Sequence, residues 1–292
     1  MVINLAITAV QIIFYSECDI MKLKYLVTLF TSIALLTPLG AQAYVIPPSD
    51  ISIAGTYQVL EVTSTPGLLV PVTSNLVNVK DILINNMQGN VQLGMPSSSP
   101  ALTTMTVTFS NVAQASLSNL LLTDWTNNSN ALVHNYITNA GNSVGITLNT
   151  PQLDAATNYF LNHQVAPGIN VWQLASNPSI ATINLVDGHI VVGQDGLLNP
   201  ANYLTGLLGV TAPTNAQASE VVKVTYNGSS QYLYSFSATD TGYKTGDGTQ
   251  SYNGRYTDQT VPEPTTLLLL GFGFIGLAYM HRHNKRDQAI VA

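Results

Sequence analysis

Charge is scarce in this chain and cysteine scarcer. Only 8% of the 292 residues are Asp, Glu, Lys or Arg, and the single cysteine is Cys18. Tyr44 to Thr260 therefore contains no cysteine, which excludes disulfide staples, thiol catalysis and Cys-ligated zinc there. Basic residues are rarer still. The same stretch holds Lys80, Lys223, Lys244 and Arg255 against eleven acids, so no basic stripe can neutralise phosphates and nucleic acid is not an expected partner. Its histidines are His134, His163 and His189, with neither His-x-x-x-His nor His-Glu spacing to suggest a metal site. The expected surface is a neutral coat of Ser, Thr, Asn, Gln and Gly.

Both ends are apolar for reasons unrelated to a soluble core. Met21-Lys22-Leu23-Lys24 opens a positively charged segment, and Tyr25 to Leu36 is an apolar run of signal-peptide length. Pro38 and Gly40 break the helix, and Ala41-Gln42-Ala43 offers signal peptidase small residues at Ala41 and Ala43. The alternatives are an uncleaved anchor or a buried helix. Residues 1–20 lack an initial positive charge and end in Glu17 and Asp19. They read as an upstream extension, with translation starting at Met21. The expected organisation is a signal peptide at 21–43, exported through the Sec translocon, and a cargo domain at 44–260.

At the other end Val261-Pro262-Glu263-Pro264 precedes the apolar stretch Thr265 to Met280, then His281-Arg282-His283-Asn284-Lys285-Arg286. The prolines keep Val261 and Glu263 extended, a form a protease can grip. The run Leu267 to Ala278 has no polar face, unlike a surface helix of a soluble domain. As a helix, 265–280 spans about 24 Å against a hydrocarbon core of ~30 Å, and snorkelling by Arg282 and Lys285 covers the difference. Arg282, Lys285 and Arg286 hold the C-terminus on the cytoplasmic side. Gly271, Gly273, Gly276 and Ala278 leave one helix side smooth for docking on a processing enzyme, with Gly-xxx-Gly dimerisation the lesser reading.

From Val261 to Arg286 the tail resembles a PEP-CTERM sorting signal: the Pro-Glu-Pro core, Thr265-Thr266, a Leu run, glycines in the membrane segment and a basic end. Residues 287–292 extend beyond the pattern. The resemblance implies recognition and cleavage by an exosortase, a membrane-embedded enzyme similar to cysteine transpeptidases. It also implies export across the inner membrane of a Gram-negative bacterium that makes exopolysaccharide. Cargo domains on such tails are diverse, so the tail specifies a destination and not an activity.

The cargo region reads as mainly β, an antiparallel β-sandwich or irregular β-barrel with a few short helices, with α+β second. Ile53–Thr63, Leu76–Ile84 and Leu102–Phe109 are strand-like. Ala181–Val186 and His189–Val192 flank an Asp187-Gly188 turn. A second hairpin joins Val221–Tyr226 to Gln231–Phe236 through residues 227–230, with Tyr232, Tyr234 and Phe236 on one face. Ser251 to Tyr256 suggests a third turn. Helices are expected over Val112–Leu122, over Gln152–His163 after Pro151, and from Asn199-Pro200 to Leu208.

Four constellations invite chemistry. Gly141-Asn142-Ser143-Val144-Gly145 fits the nucleophile-elbow pattern, but the required helix after the serine is missing, and a turn between strands is the better reading. The three histidines with Asp154, Asp187 or Asp195 form a site only if the fold gathers them. Asp240 to Gly248 lacks calcium-loop spacing and reads as a polar loop. The tyrosines at 226, 232, 234, 243, 252 and 256 suit sheet packing before sugar stacking. No catalytic, cofactor or metal residue is therefore assigned. The expectation is a non-enzymatic surface or biofilm-matrix protein, structural or bound to exopolysaccharide, with a secreted hydrolase as the alternative.

Overall fold

The computed structural model describes residues 43–63, 67–95, 97, 99–196, 201–213, 216–245 and 254–260. The expected signal helix and transmembrane helix lie outside these residues. All the elements belong to one compact unit beginning at Val45. In chain order, β1 (Val45–Ile46), β2 (Pro48–Ala54), β3 (Tyr57–Val62) and β4 (Leu68–Val72) precede helix α1 (Leu76–Leu83). Then come β5 (Gly89–Leu93), β6 (Thr104–Phe109), β7 (Gln114–Ser118), α2 (Leu122–Ser143, kinked where Asn127 to Asn130 leave helical geometry) and α3 (Thr150–Asn162). A ribbon of β8 (Gln164–Ala166) and β9 (Ile169–Asn170) leads through α4 (Val171–Leu174) to β10 (Ser179–Val186) and β11 (His189–Gly196). The described chain closes with α5 (Ala201–Leu208), β12 (Val222–Tyr226), β13 (Ser229–Leu233), β14 (Ala238–Asp240), β15 (Lys244–Thr245) and β16 (Gly254–Gln259).

The protein is mainly β. A nine-stranded sheet runs β14-β16-β11-β10-β5-β3-β4-β15, with β1 added to β10, and a five-stranded sheet runs β13-β12-β7-β6-β2. Pairing is antiparallel apart from β15 against β4. Period-two alternation explains how both sheets feed one core. Met105, Val107 and Phe109 of β6 turn inward while Thr104, Thr106 and Thr108 stay at the surface. They meet Val59, Val91, Ile183, Leu185, Ile190 and Val192 from the larger sheet, closed by Val79, Ile82 and Leu83 of α1. A second core lies among the helices, where Trp125, Tyr136, Phe160, Trp172, Leu204 and Leu207 pack together. Trp125 meets Phe160 edge-on at 4.7 Å.

The structure corrects several expectations. Leu76–Ile84 is helical, because Asn75 accepts from the Asn78 N–H at 2.9 Å and the inward residues Val79, Ile82 and Leu83 follow helical spacing. Val112–Leu122 is not a helix; β7 occupies its centre, with Ala115 and Leu117 inward and Ser116 outward. Ile53–Thr63 divides into β2 and β3 at Gly55, whose φ of +113° and contact with Thr103 tolerate no side chain. The β12–β13 connection is a two-residue Asn227-Gly228 turn, since positive φ at both residues suits the strand twist. Asp187-Gly188 forms the same turn as expected, between strands longer than the pattern indicated. The helix after Pro151 is present as Thr150–Asn162, with Asn149 and Gln152 capping each other. The helix ending at Leu208 is present from Ala201, and its Asn199-Pro200 start lies outside the described residues. Of Ser251 to Tyr256, residues 254–256 are strand and the rest lie outside the description.

One turn carries a conformational penalty. Val112, between β6 and β7, has φ +63° and is 83% exposed. A β-branched residue in the left-handed region is a genuine outlier costing on the order of 1–3 kcal/mol. Val112→Asn relieves that strain, and the thermal midpoint should rise by a few degrees in scanning calorimetry.

Candidate functional site

The most informative site is the place where the folded domain hands over to its C-terminal tail. Strand β16 lies inside the larger sheet, paired with β11 from Val191↔Gln259 to Gly196↔Gly254 and with β14 on its other edge. The sheet's pairing continues one residue further. Thr260, 6% exposed, donates its N–H to the Ile190 carbonyl at 2.9 Å, and its Oγ1 accepts from the Ile190 N–H at 3.0 Å. Its carbonyl lies 2.7 Å from His189 Nδ1; since a carbonyl only accepts, Nδ1 carries the proton. Thr260 is the last described residue, and the next four in the sequence are Val261, Pro262, Glu263 and Pro264.

The other end of the domain reaches the same turn. Val45 pairs with Val186 and Ile46 with Leu185, beside the Asp187-Gly188 turn that also precedes His189. Ala43, the second residue of the expected signal-peptidase site, is exposed, while Ala41 lies outside the described residues. Val261, Pro262, Glu263, Pro264, Arg282, Lys285 and Arg286 also lie outside them. Among the described residues no helix is long and apolar enough to cross a membrane.

Residues 260–282 match the family of the PEP-CTERM protein-sorting motif. The tail is a PEP-CTERM sorting signal. It marks the chain as an exported protein, anchored at the membrane for sorting and processed by an exosortase. No curated protein and no solved structure matches the chain. The PEP-CTERM match begins at Thr260, a residue of the clamp.

Behind the clamp, β16 carries the most heavily desolvated ion pair. The Asp195 carboxylate is fully buried, accepting from Arg255 Nε, from Arg255 Nη2 at 3.2 Å and from Asn90 Nδ2 at 3.2 Å. Burial outweighs these donors and leaves its pKa above the ordinary carboxylate value. Glu220 keeps part of its surface exposed, but its carboxyl group is buried, accepting from the Ser179 N–H at 3.0 Å. Burial raises its pKa well above normal, and the Asp195 charge adds to the effect. Asp258 is raised to about 6 by burial alone. Tyr256 is wholly buried, its hydroxyl accepting from the Ala218 N–H at 2.8 Å.

A second polar group ties the helices to the smaller sheet. Asp124, in the first turn of α2, accepts from Lys223 at 2.9 Å, from Tyr232 Oη at 3.0 Å and from the Leu121 N–H at 3.0 Å. Burial works to raise its pKa, but Lys223, the Leu121 N–H and Tyr232 together hold it below the usual value.

The residues singled out in sequence take separate places. His134 lies on α2, while His163 ends α3 with its ring stacked on Tyr159 at 4.3 Å. Asp154 and Asp187 are exposed and Asp195 is committed to Arg255. Among the described residues no group of three or more His, Cys, Asp or Glu gathers as a metal site requires. Gly141 and Ser143 belong to the end of α2 and not to a turn between strands. Ser143 Oγ donates to the Ala140 carbonyl at 2.8 Å, and Gly145 follows with φ +78°, the conformation that terminates helices. Asp240 Oδ1 accepts from the Gly242 N–H in a local turn, and residues 246–248 lie outside the description. Tyr232, Tyr234 and Phe236 pack on the helical core and Tyr226 on the other core. Tyr243 is half-buried, and Tyr252 lies outside the description.

Two outcomes test this construction. Arg255→Met strands a buried carboxylate and should cost about 3–5 kcal/mol in urea denaturation near neutral pH. Removing Arg255 takes away the groups that hold the Asp195 pKa down against burial, so as pH falls the variant's folded state takes up a proton before the wild type's does. The loss relative to wild type should therefore shrink as pH is lowered from about 7 to about 4. Thr260→Val deprives the buried Ile190 N–H of its acceptor and should cost about 1–3 kcal/mol, with faster exchange of that amide by NMR.

Proposed function

We propose that the chain is a cell-surface or extracellular-matrix protein whose β domain, its two sheets packed as a sandwich around a shared core, binds exopolysaccharide as a structural component. In this reading the signal peptide is residues 21–43, cut after Ala43, and the cargo domain is 44–260. A transmembrane helix at 265–280 holds the precursor, with Arg282, Lys285 and Arg286 on the inner side, until exosortase acts at Val261-Pro262-Glu263-Pro264.

The observation that carries the ligand class is a row of hydroxyls across the smaller sheet. Ser52 pairs with Thr106, Thr106 with Ser116, Ser116 with Thr225, and Thr225 with Ser230. All five lie on the face opposite the core, partly or fully exposed. Adjacent strands are about 4.8 Å apart, so the five side chains form a regular line. Thr225 and Ser230 already share a hydrogen bond of 2.7 Å, and Gln114 donates to Thr108 at 3.2 Å in the next row. Hydroxyls both donate and accept, which matches the hydroxyls of a sugar chain without requiring charge. A chain with few cations has little else with which to hold a polysaccharide.

Replacing Thr106, Ser116 and Thr225 together by Val, Ala and Val removes three hydroxyls, each worth about 0.5–1.5 kcal/mol if it bonds the ligand. Co-sedimentation with the producing cell's exopolysaccharide should weaken at least tenfold while the thermal midpoint holds. Unchanged co-sedimentation rejects the face, and release of reducing ends by the wild-type domain rejects the structural role in favour of a hydrolase. Mass determination of the C-terminus in wild-type and exosortase-deficient cells tests the tail separately.

A further inference from the structure

We infer that the end of the domain displaying Val45 and Val112 rests on the lipid surface while the chain is anchored, an inference built on the sorting reading above. A continuous path of hydrogen bonds assembles this end. Thr260 is bonded to His189 and Ile190; the turn before His189 follows Val186, which pairs with Val45. Two residues beyond Val45, the Pro47 carbonyl accepts from the Ser110 N–H at 3.3 Å, joining the Ser110–Val112 turn to the group. Val45 is 52% exposed and Val112 83%.

Chain length says what faces these residues. Thr260 is fixed in the sheet, and only six residues, 261–266, separate it from Leu267, where the uninterrupted apolar run begins. Fully extended they reach about 20 Å. A domain of this size has a radius of gyration of about 17 Å and is wider than its tether is long, so the end that carries Thr260 is the one turned to the bilayer. Val112 supplies the second argument. Its turn accepts left-handed strain to hold an apolar side chain out in water, a combination unfavourable on both counts unless the side chain meets an apolar medium.

The test uses the chain from Tyr44 onward, the form that signal cleavage leaves and one without cysteine, reconstituted into phosphatidylethanolamine–phosphatidylglycerol vesicles. An environment-sensitive dye is placed at Val112→Cys, Val45→Cys or Leu102→Cys; Leu102 is 51% exposed but lies at the opposite end of β6. Brominated acyl chains should quench the dye at 112 and 45 at least twofold and leave it unchanged at 102. Val112→Asn should lower quenching at 45 while raising the thermal midpoint, which a purely structural turn would not couple. Flotation with the vesicles but no quenching at 112 and 45 overturns the inference and leaves the anchoring intact. Quenching that vanishes at one copy per vesicle assigns the surface to a second copy and overturns it too. Failure to float at all overturns both.

Discussion

The structure depends on the pairing of β16 with β11. That single strand contributes Arg255 to the buried Asp195, fills the interior with Tyr256, and ends in the Thr260 clamp. The consequence is mechanical: tension on the tail is met by consecutive backbone pairs between β16 and β11, with β16 second from one edge of the larger sheet. It is also chemical, because a cut before Thr260 would remove a strand the core cannot lose. A cut within 261–264 leaves every described contact of β16 in place.

Charge scarcity decides which electrostatic contacts matter. Among the described residues Lys80 pairs with Asp50, Lys223 with Asp124 and Arg255 with Asp195. The first pair is largely exposed and worth little. The last is desolvated, and its value lies in what its disruption would leave behind: a buried carboxylate already pushed above its normal pKa. Between them, Asp124 binds the helical layer to the smaller sheet through a cation, a phenol and a backbone N–H. With eleven acids against four cations between Tyr44 and Thr260, the net charge disfavours anionic ligands and not neutral ones.

Much of this was legible in the residues, though unevenly. The Asp187-Gly188 hairpin, a helix at Pro151 and the PEP-CTERM tail all follow from local chemistry that needs no tertiary context, whereas the Asn149–Gln152 cap that starts the helix at Thr150 emerged only in the structure. Leu76–Ile84 misled because short apolar runs alternate nearly as well at period two as at period 3.6, and the Asn75 cap decided it. Val112–Leu122 misled the other way; alanine and leucine favour helices, but burial between β6 and β12 overrode propensity. Long-range partners left no trace at all. Nothing in Asp195 or Arg255 taken alone announces a buried pair sixty residues apart, and the hydroxyl row exists only once five strands are placed in register.

The two proposed surfaces are carried by different sheets. The tail leaves from β16 of the larger sheet, whereas the hydroxyl row crosses the smaller one, and the chain passes directly between the sheets from β1 to β2 at Pro47 and from β2 to β3 at Gly55. Strands β2, β6 and β7 have one end at the Pro47–Ser110 contact, so they run away from the end that bears the tail. A row perpendicular to those strands therefore lies along the membrane and above it when that end is down. In that arrangement the face is open sideways before processing and is unchanged by it. Attachment and ligand contact need not compete, because no residue of the row belongs to the clamp.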